Sequence, residues 1–156
     1  MKKILDSIGK TQTRALPKKG RLLAIDFGER RLGIAVTDEL QITAQIKETI
    51  EIRSVEEAVK AIKQLFSELK IQGIVLGLPL NLNGSEGQMS QKVRDFAENL
   101  QAEGLAPIVL WDERLTSRQA ERTLRDFNQK PASTKSDIDK LAAYFILRSY
   151  LDSQMP

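Results

Sequence analysis

Three acidic residues stand at positions where a carboxylate could do chemistry. Asp26 closes the apolar run LLAIDFG, and Glu113 closes the run IVLWDER. Ligand sites gather at the carboxyl ends of strands in α/β sheets, so neighbouring strands would bring these two carboxylates to one edge. The third candidate, Asp139, lies in STKSDIDKLAAYFIL, with Ala142 and Ala143 following on the same helical face. Small residues there would let the helix approach the sheet and bring Asp139 towards the other two.

Such a group of acids has a chemical use. Three carboxylates at one point repel one another unless a cation lies between them. A hard, oxygen-seeking ion such as Mg²⁺ or Mn²⁺ is the natural compensator. Two such ions about 3.5–4 Å apart could activate a water molecule and stabilise the leaving oxygen of a phosphodiester. We therefore predict metal-assisted hydrolysis, with Asp26, Glu113 and Asp139 as catalytic residues and metal ligands.

Each acid also has an ordinary structural interpretation. Asp26 could begin a hairpin turn, because Asp is a common turn residue. Glu113 could form a surface ion pair with Arg114 or Arg118, and Asp139 could be the acidic member of a helix capping box. These interpretations stay open for each residue taken singly. The three together favour the metal site, because all fall at ends of elements expected on one side of the sheet.

A second group of residues could hold the phosphates of a nucleic acid. Arginines follow Asp26 and flank Glu113, hydroxyls open the next helix, and amides and hydroxyls occupy the loop GLPLNLNGSEG. Backbone N–H groups at a helix start favour an anion, and amides and hydroxyls donate to phosphates or bases. The predicted substrate-binding residues are Arg30, Asn81, Ser85, Arg114, Ser117 and Arg118. Caps, turns and solvated arginines are the alternative for each.

The composition excludes several classes of site. The chain contains no His and no Cys, which excludes Ser-His-Asp and Cys-His catalysis, imidazole-ligated zinc and disulfides. The absence of Cys favours a cytoplasmic location. No run approaches the ~18–20 apolar residues of a membrane span, and the basic N-terminus lacks the apolar segment of a secretory signal. The net charge of +3, from 24 basic and 21 acidic residues, fits a polyanionic partner without requiring one.

The basic residues are unevenly distributed. Six of them lie within the first 20 positions, together with Pro17 and no apolar periodicity. We predict that residues 1–20 form a mobile N-terminal extension, which either grips phosphates or serves as a solubilising tail. Residues 21–156 are predicted to form one folded domain, since that length buries a sizeable core.

The apolar runs predict five strands. Residues 21–27 and 32–37 are joined by GERR, a hairpin signal, and 41–51 forms a weaker third strand. The runs GIVLGLPL and PIVLWDE are short and continuously apolar, which is typical of strands covered on both faces.

Four helices are expected between and after these strands. Capping boxes at Ser54 and Ser85 open the first two, Thr116 opens the third, and residues 137–151 form the last. The order β-β-β-α-β-α-β-α-α combines an antiparallel meander with two βα crossovers. It predicts an α/β fold, a ribonuclease H-like mixed five-stranded sheet flanked by helices.

Four sequence blocks resemble the signatures of the YqgF/RuvX family. In chain order they are AIDFGERRLGIAVTD, IVLGLPLNLNGSEG, VLWDERLTSRQA and KSDIDKLAAYFILRSYL. The likeness runs from about Arg21 to Leu151. It implies a ribonuclease H-like nuclease domain related to Holliday-junction resolvases, with Asp26, Glu113 and Asp139 at the family's acidic metal-binding positions. It also implies a nuclease that matures the 5′ end of pre-16S rRNA, or, in an older view, a junction resolvase.

Three functions follow as hypotheses. The first is a metal-dependent endonuclease acting on structured RNA of the pre-ribosome. The second is a nucleic-acid-binding module that does not cut, and the third is a nucleotide-binding phosphotransferase, because D-x-G hairpins also cradle phosphates in actin-like folds. Branched DNA is the principal alternative substrate to RNA. The sequence leaves open whether the protein is a monomer or a homodimer.

Overall fold

The chain folds around one sheet with helices on both faces. The computed structural model describes residues 16–105, 107–115 and 135–155, with backbone alone at 115 and 135–140. The strands are β1 (Arg21–Phe27), β2 (Arg31–Thr37), β3 (Ala44–Glu51), β4 (Ile71–Leu78) and β5 (Ile108–Asp112). The helices described are α1 (Val55–Glu68), α2 (Gln88–Ala102) and α3 (Lys135–Ser153), and a 3₁₀ turn covers Glu113–Leu115.

The sheet is mixed, as predicted. Its strand order is β3-β2-β1-β4-β5. Strands β1, β2 and β3 pair antiparallel, whereas β4 runs parallel to β1 and β5 runs parallel to β4. The carboxyl ends of β1, β4 and β5 therefore share one edge of the sheet, the arrangement that brings side chains from distant sequence positions together. The third helix predicted from Thr116 lies outside the described residues.

Alternation along β1 divides the core into two layers. Leu23, Ile25 and Phe27 belong to a cluster with α1 and α2, whereas Leu22 and Ala24 belong to a cluster with α3. Successive side chains of a strand point to opposite faces, so a strand covered on both sides is apolar throughout. This is the physical reason for the continuous apolar runs of β1 and β4. Any polar side chain within them stands out.

The two helices on one face start differently. At α1 the backbone N–H of Glu57 donates to the Ser54 hydroxyl at 3.1 Å, which confirms the predicted cap. The cap predicted at Ser85 is wrong, because α2 begins at Gln88 with Gly87 as its N-cap and no side-chain cap. Ser85 instead hydrogen-bonds within the preceding loop, since Ser competes for local backbone and side-chain partners outside helices as readily as at caps.

The segment before β1 is packed against the domain from Leu16 onward. Leu16 is only 3% exposed, and its backbone N–H donates to the Tyr150 hydroxyl of α3 at 3.4 Å. A Cβ at Gly73 would lie 3.1 Å from Leu16, so the glycine leaves the space that Leu16 fills. The folded part therefore includes residues 16–20, which differs from the extension predicted for residues 1–20. The mobile extension stays a prediction for residues 1–15, which lie outside the described range.

None of the helices described here is both long enough and apolar enough to span a lipid bilayer.

Candidate active site

Asp26 lies inside β1 and not in the turn that follows it. It pairs in register with Gly33 of β2, and the hairpin turn begins two residues later, where Gly28 N–H donates to the Arg31 carbonyl at 3.0 Å. Alternation places Asp26 on the same face as Leu22 and Ala24, beneath α3. The carboxylate is thus a half-buried acid in a strand, and the turn interpretation is wrong.

Glu113 extends from the end of β5 back over β4. It is the first residue of the 3₁₀ turn, and a Cβ at Gly77 would lie 2.5 Å from its Oε1. Gly77 pairs with Trp111 of β5, and the residue before Gly77 pairs with Ile25 of β1. The missing side chain at Gly77 therefore opens a path across the middle strand. Along it the Glu113 carboxyl reaches Asp26 and forms a hydrogen bond with it.

The surroundings of Glu113 disfavour its negative charge. Burial raises the pKa of its carboxyl to about 8, and the charge of Asp26, the hydrogen bond to Asp26 and the charge of Asp112 act in the same direction. A carboxyl that shares a site with another carboxylate holds its proton more tightly, because two negative charges cannot easily coexist there. Below about pH 8 the Glu113 carboxyl therefore keeps its proton. A positive charge at this position would displace it.

The arginine next to Glu113 is engaged by another acid. The Arg114 guanidinium donates to both Asp112 carboxylate oxygens at 2.7–3.1 Å, and Nη1 donates to the Leu82 carbonyl at 3.3 Å. Asp112 is thus the partner observed for Arg114, which the sequence had offered as a partner of Glu113. Arg114 fastens the end of β5 to the loop between β4 and α2. The other proposed partner, Arg118, lies outside the described residues.

Asn81 and Ser85, predicted to bind substrate, hold the loop of residues 79–87 together. Asn81 Nδ2 donates to Ser85 Oγ at 2.9 Å, and Ser85 Oγ donates to Asn83 Oδ1 at 2.6 Å. We call this segment, between β4 and α2, the β4–α2 loop. Its polar side chains shape the loop beside Asp26 and Glu113, which we call the acid pair. A role of Asn81 and Ser85 in binding substrate stays a prediction.

Arg30 lies in the exposed turn between β1 and β2. Together with Arg31 and Arg53 it lines an open groove of about 680 Å³ that also contains Glu29 and Glu57. Glu29 forms an ion pair with Lys92 of α2. Acids and bases alternate here, so this groove is less basic than the sequence of the turn suggested.

Asp139 lies in α3, but its side chain is outside the described part. Its backbone is one turn before Ala143, which is fully buried, and two turns before Ile146. The Ile146 Cδ1 atom lies 2.5 Å from where a Cβ at Gly77 would be, so α3 crosses the sheet close to the acid pair. Ser117 also lies outside the described residues. Among the side chains that are described, no three potential ligands are grouped to hold a metal.

Two residues of the site were missed by the sequence interpretation. Gly77 admits the Glu113 side chain, and Asp112 anchors Arg114. The signal for Gly77 was a glycine within the apolar run of β4, because a glycine inside a strand often marks a close approach of another group. The signal for Asp112 was only its adjacency to Glu113.

The sequence of the chain is similar to that of named relatives along most of its length. It is 43% identical over 135 residues to a protein of Natranaerobius thermophilus named "Putative pre-16S rRNA nuclease", covering 86% of this chain and 96% of the relative. A protein of Clostridium novyi with the same name is 42% identical over 133 residues, covering 85% of this chain and 98% of that protein.

The fold is similar to solved resolvases. T. thermophilus RuvC in complex with a Holliday junction substrate superposes with a TM-score of 0.58 at 12% identity, covering 85% of this chain and 95% of that one. The Fowlpox virus resolvase bound to Holliday junction DNA gives a TM-score of 0.54 at 12% identity, covering 87% and 99%. At these identities the likeness concerns the fold alone, and it confirms the predicted ribonuclease H-like architecture.

One family model matches residues 20–153, and it is described as "RuvX: Holliday junction resolvase". This match covers more than half of the chain and agrees with relatives above 40% identity. The chain therefore belongs to the RuvX family.

Proposed function

We propose that the protein is a metal-dependent endonuclease that hydrolyses phosphodiester bonds in structured RNA. The observation that carries this proposal is the meeting of Asp26 and Glu113 over Gly77. Two relatives that share more than 40% of their residues with this chain are named for cleavage of pre-16S rRNA. We therefore infer that the reaction is maturation of the 5′ end of pre-16S rRNA in the cytoplasm.

The donor set of the site fits a hard divalent cation. Two carboxyl groups in contact, one of them with a pKa raised to about 8, concentrate negative charge at one point when both are ionised. Oxygen ligands of this type suit Mg²⁺ or Mn²⁺. Asp26 and Glu113 would hold the ion, with Asp139 as a third ligand from α3. When bound, the ion supplies Lewis acidity, which activates water and stabilises the leaving oxygen of the phosphodiester.

The protein's own groups would orient the substrate. Arg30 is exposed on the turn beyond Asp26 and can meet a phosphate. Arg114, which is held by Asp112, also donates to the Leu82 carbonyl, so its guanidinium lies where the end of β5 meets the β4–α2 loop. Ser117 and Arg118 stay predicted contacts. Because Arg114 is held by Asp112 and the Leu82 carbonyl before substrate arrives, it loses less conformational freedom on binding.

The decisive experiment is a cleavage assay on pre-16S rRNA and on a four-way DNA junction, each with Mg²⁺, Mn²⁺ and EDTA. We expect RNA cleavage that EDTA abolishes. Asp26→Asn and Glu113→Gln should reduce it on the order of 100-fold or more, because each removes a metal ligand. Glu98→Gln is the matched control, since Glu98 is exposed on α2 at the opposite face. Full cleavage by a folded Asp26→Asn protein would contradict the proposal.

Junction resolution is the second candidate function. It is favoured by the description of the family model, and the same assay separates it, because it requires cleavage of the DNA junction in preference to the RNA. Binding that persists in EDTA without product under either metal would instead identify a binding module. Loss of affinity with rising salt is expected in all cases, because phosphate contacts dominate.

A further inference from the structure

Leu82 is an apolar side chain fully presented to solvent beside the candidate site. It is 97% exposed, more than any other large apolar side chain in the described part of the chain. A single exposed leucine is ordinary on a protein surface. Leu82 is unusual in its position, because it lies at the tip of the β4–α2 loop and its carbonyl accepts a hydrogen bond from Arg114.

The loop that carries Leu82 is held together on both sides of that residue. The backbone N–H of Asn81 donates to the Ser85 carbonyl at 2.9 Å, and the N–H of Gly84 donates to the Asn81 carbonyl at 2.8 Å. Gly84 adopts a φ of +87°, which side-chain-bearing residues rarely take. The side chains of Asn81, Asn83 and Ser85 close the loop further. Leu82 is therefore presented on a turn with a defined shape.

The loop is also fastened to its surroundings. Arg114 Nη1 donates to the Leu82 carbonyl, and Arg114 directly follows Glu113 in the chain. On the other side, Arg94 of α2 donates to both carboxylate oxygens of Glu86 at 2.8 and 2.7 Å. Through the Arg114 side chain, the Leu82 carbonyl is thus linked to the residue that directly follows Glu113. A nucleic acid with its backbone over the acid pair would bring a base step to Leu82.

We propose that Leu82 is a wedge that enters between two stacked bases next to the phosphodiester to be cut. Proteins unstack base steps by inserting apolar side chains, leucine among them, from rigid positions. The exposed side chain gains burial in the stack, and Asn81, Asn83 and Ser85 around it offer polar groups to the flanking backbone. Leu82 would thus be a positioning residue, which selects distorted or branched substrates by how easily their bases separate. This inference rests on the proposed function in requiring a nucleic-acid substrate.

The test uses binding and not cleavage. The probes are a four-way DNA junction and an RNA hairpin with a single-stranded flank, with 2-aminopurine placed in turn at each step around the branch point. The fluorescence of this adenine analogue rises when it is unstacked. Full-length protein is added in EDTA until anisotropy shows saturation. With the wild type, we expect the fluorescence to rise several-fold at one base step. With Leu82→Ser we expect no rise at saturation and an affinity for the probe about tenfold below that of the wild type.

Leu82→Phe and Leu40→Ser complete the design. Leu82→Phe should keep the fluorescence rise, because a larger apolar side chain also unstacks bases. Leu40→Ser should behave as the wild type, because Leu40 is 64% exposed in the β2–β3 turn, away from the acids. Three outcomes would overturn the proposal. They are no fluorescence rise with saturating wild-type protein, a rise that is unchanged in Leu82→Ser, and no binding to either probe. If the protein unstacks bases but never cuts the substrate, the wedge proposal stands and only the proposed hydrolase activity is refuted.

Discussion

At the scale of the residue, the acid pair is a cost to the fold. A carboxylate removed from water is unfavourable, and a second carboxylate in contact makes it more so. Asp26 and Glu113 nevertheless meet on the α3 face of the sheet, where apolar side chains would pack without penalty. Acids with a strongly raised pKa, such as Glu113, gather at functional sites. Their arrangement is explained by the proposed reaction better than by stability.

The first prediction concerns the pH dependence of stability. The pKa of Glu113 is raised to about 8 from an ordinary 4.5, so the folded state binds more protons than the unfolded state between these values. Its contribution to stability is complete below about pH 4.5 and is lost as pH rises towards 8. In EDTA, the free energy of unfolding should fall by up to about 1.4 kcal/mol per pH unit relative to Glu113→Gln.

Urea unfolding of the two proteins at pH 5, 6, 7 and 8 measures this difference. All other titrating groups are shared, so the comparison isolates the acid pair. Two stability profiles that run parallel across this range would show that Glu113 ionises normally in the folded protein.

At the scale of the element, the site depends on a close approach of strand and helix. Strand β4 lies between β1 and β5, and Gly77 leaves the Glu113 carboxyl and Ile146 of α3 in contact with bare backbone. The parallel direction of β1, β4 and β5 brings the acids to the same edge. One small residue in β4 thus decides whether the acid of β1 and the acid that follows β5 can touch.

The second prediction is that Gly77→Ala separates the acids. The added Cβ would lie 2.5 Å from both Glu113 Oε1 and Ile146 Cδ1, so one or both must move. We expect cleavage to fall at least about tenfold, since misplacement by about 1 Å costs that much or more, and stability to fall by about 1–3 kcal/mol. Cleavage rates and urea unfolding measure the two effects.

Gly87→Ala provides the control for this substitution. A Cβ at Gly87 meets nothing closer than 3.9 Å, so the same chemical change should leave the acids in place and cost less than about 1 kcal/mol. Equal cleavage by both variants and the wild type would show that the carboxyls do not require the gap at Gly77.

At the scale of the whole molecule, the chain closes on itself through its first described residues. Leu16 fills the space over Gly73 and hydrogen-bonds to Tyr150. Tyr150 packs edge-on against Trp111 of β5, with ring centroids 5.3 Å apart. The start of the described chain thus buttresses α3, the helix that carries Asp139.

The third prediction tests this closure. Leu16→Ala should destabilise the protein by about 2–4 kcal/mol, because it leaves a cavity between β4 and α3. Leu40→Ala, which changes a side chain 64% exposed, should stay within about 0.5 kcal/mol of the wild type. Urea unfolding gives both values. If Leu16→Ala unfolded at the same urea concentration as Leu40→Ala, the segment before β1 would not belong to the folded unit.

Much of this protein could be predicted from its sequence. The apolar runs of β1, β4 and β5 marked strands, the Ser54 cap marked a helix start, and Asp26 and Glu113 stood out as charges ending apolar runs. These are local patterns, determined by the alternation of strands and by the hydrogen bonds of a helix end. The false cap at Ser85 shows the limit of such patterns, because the same hydroxyl also suited a loop.

Only the tertiary structure decided which charges meet. Glu113 has two arginines near it in sequence, but the chain turns it across Gly77 towards Asp26 and leaves Arg114 to Asp112. Likewise, the composition of residues 1–20 predicted a basic tail that includes Leu16, whereas the fold buries this residue against α3 and β4. Periodic patterns in a sequence indicate which face of a helix or strand each side chain occupies. Contacts between residues more than 80 positions apart depend on strand order and packing, which no local pattern contains.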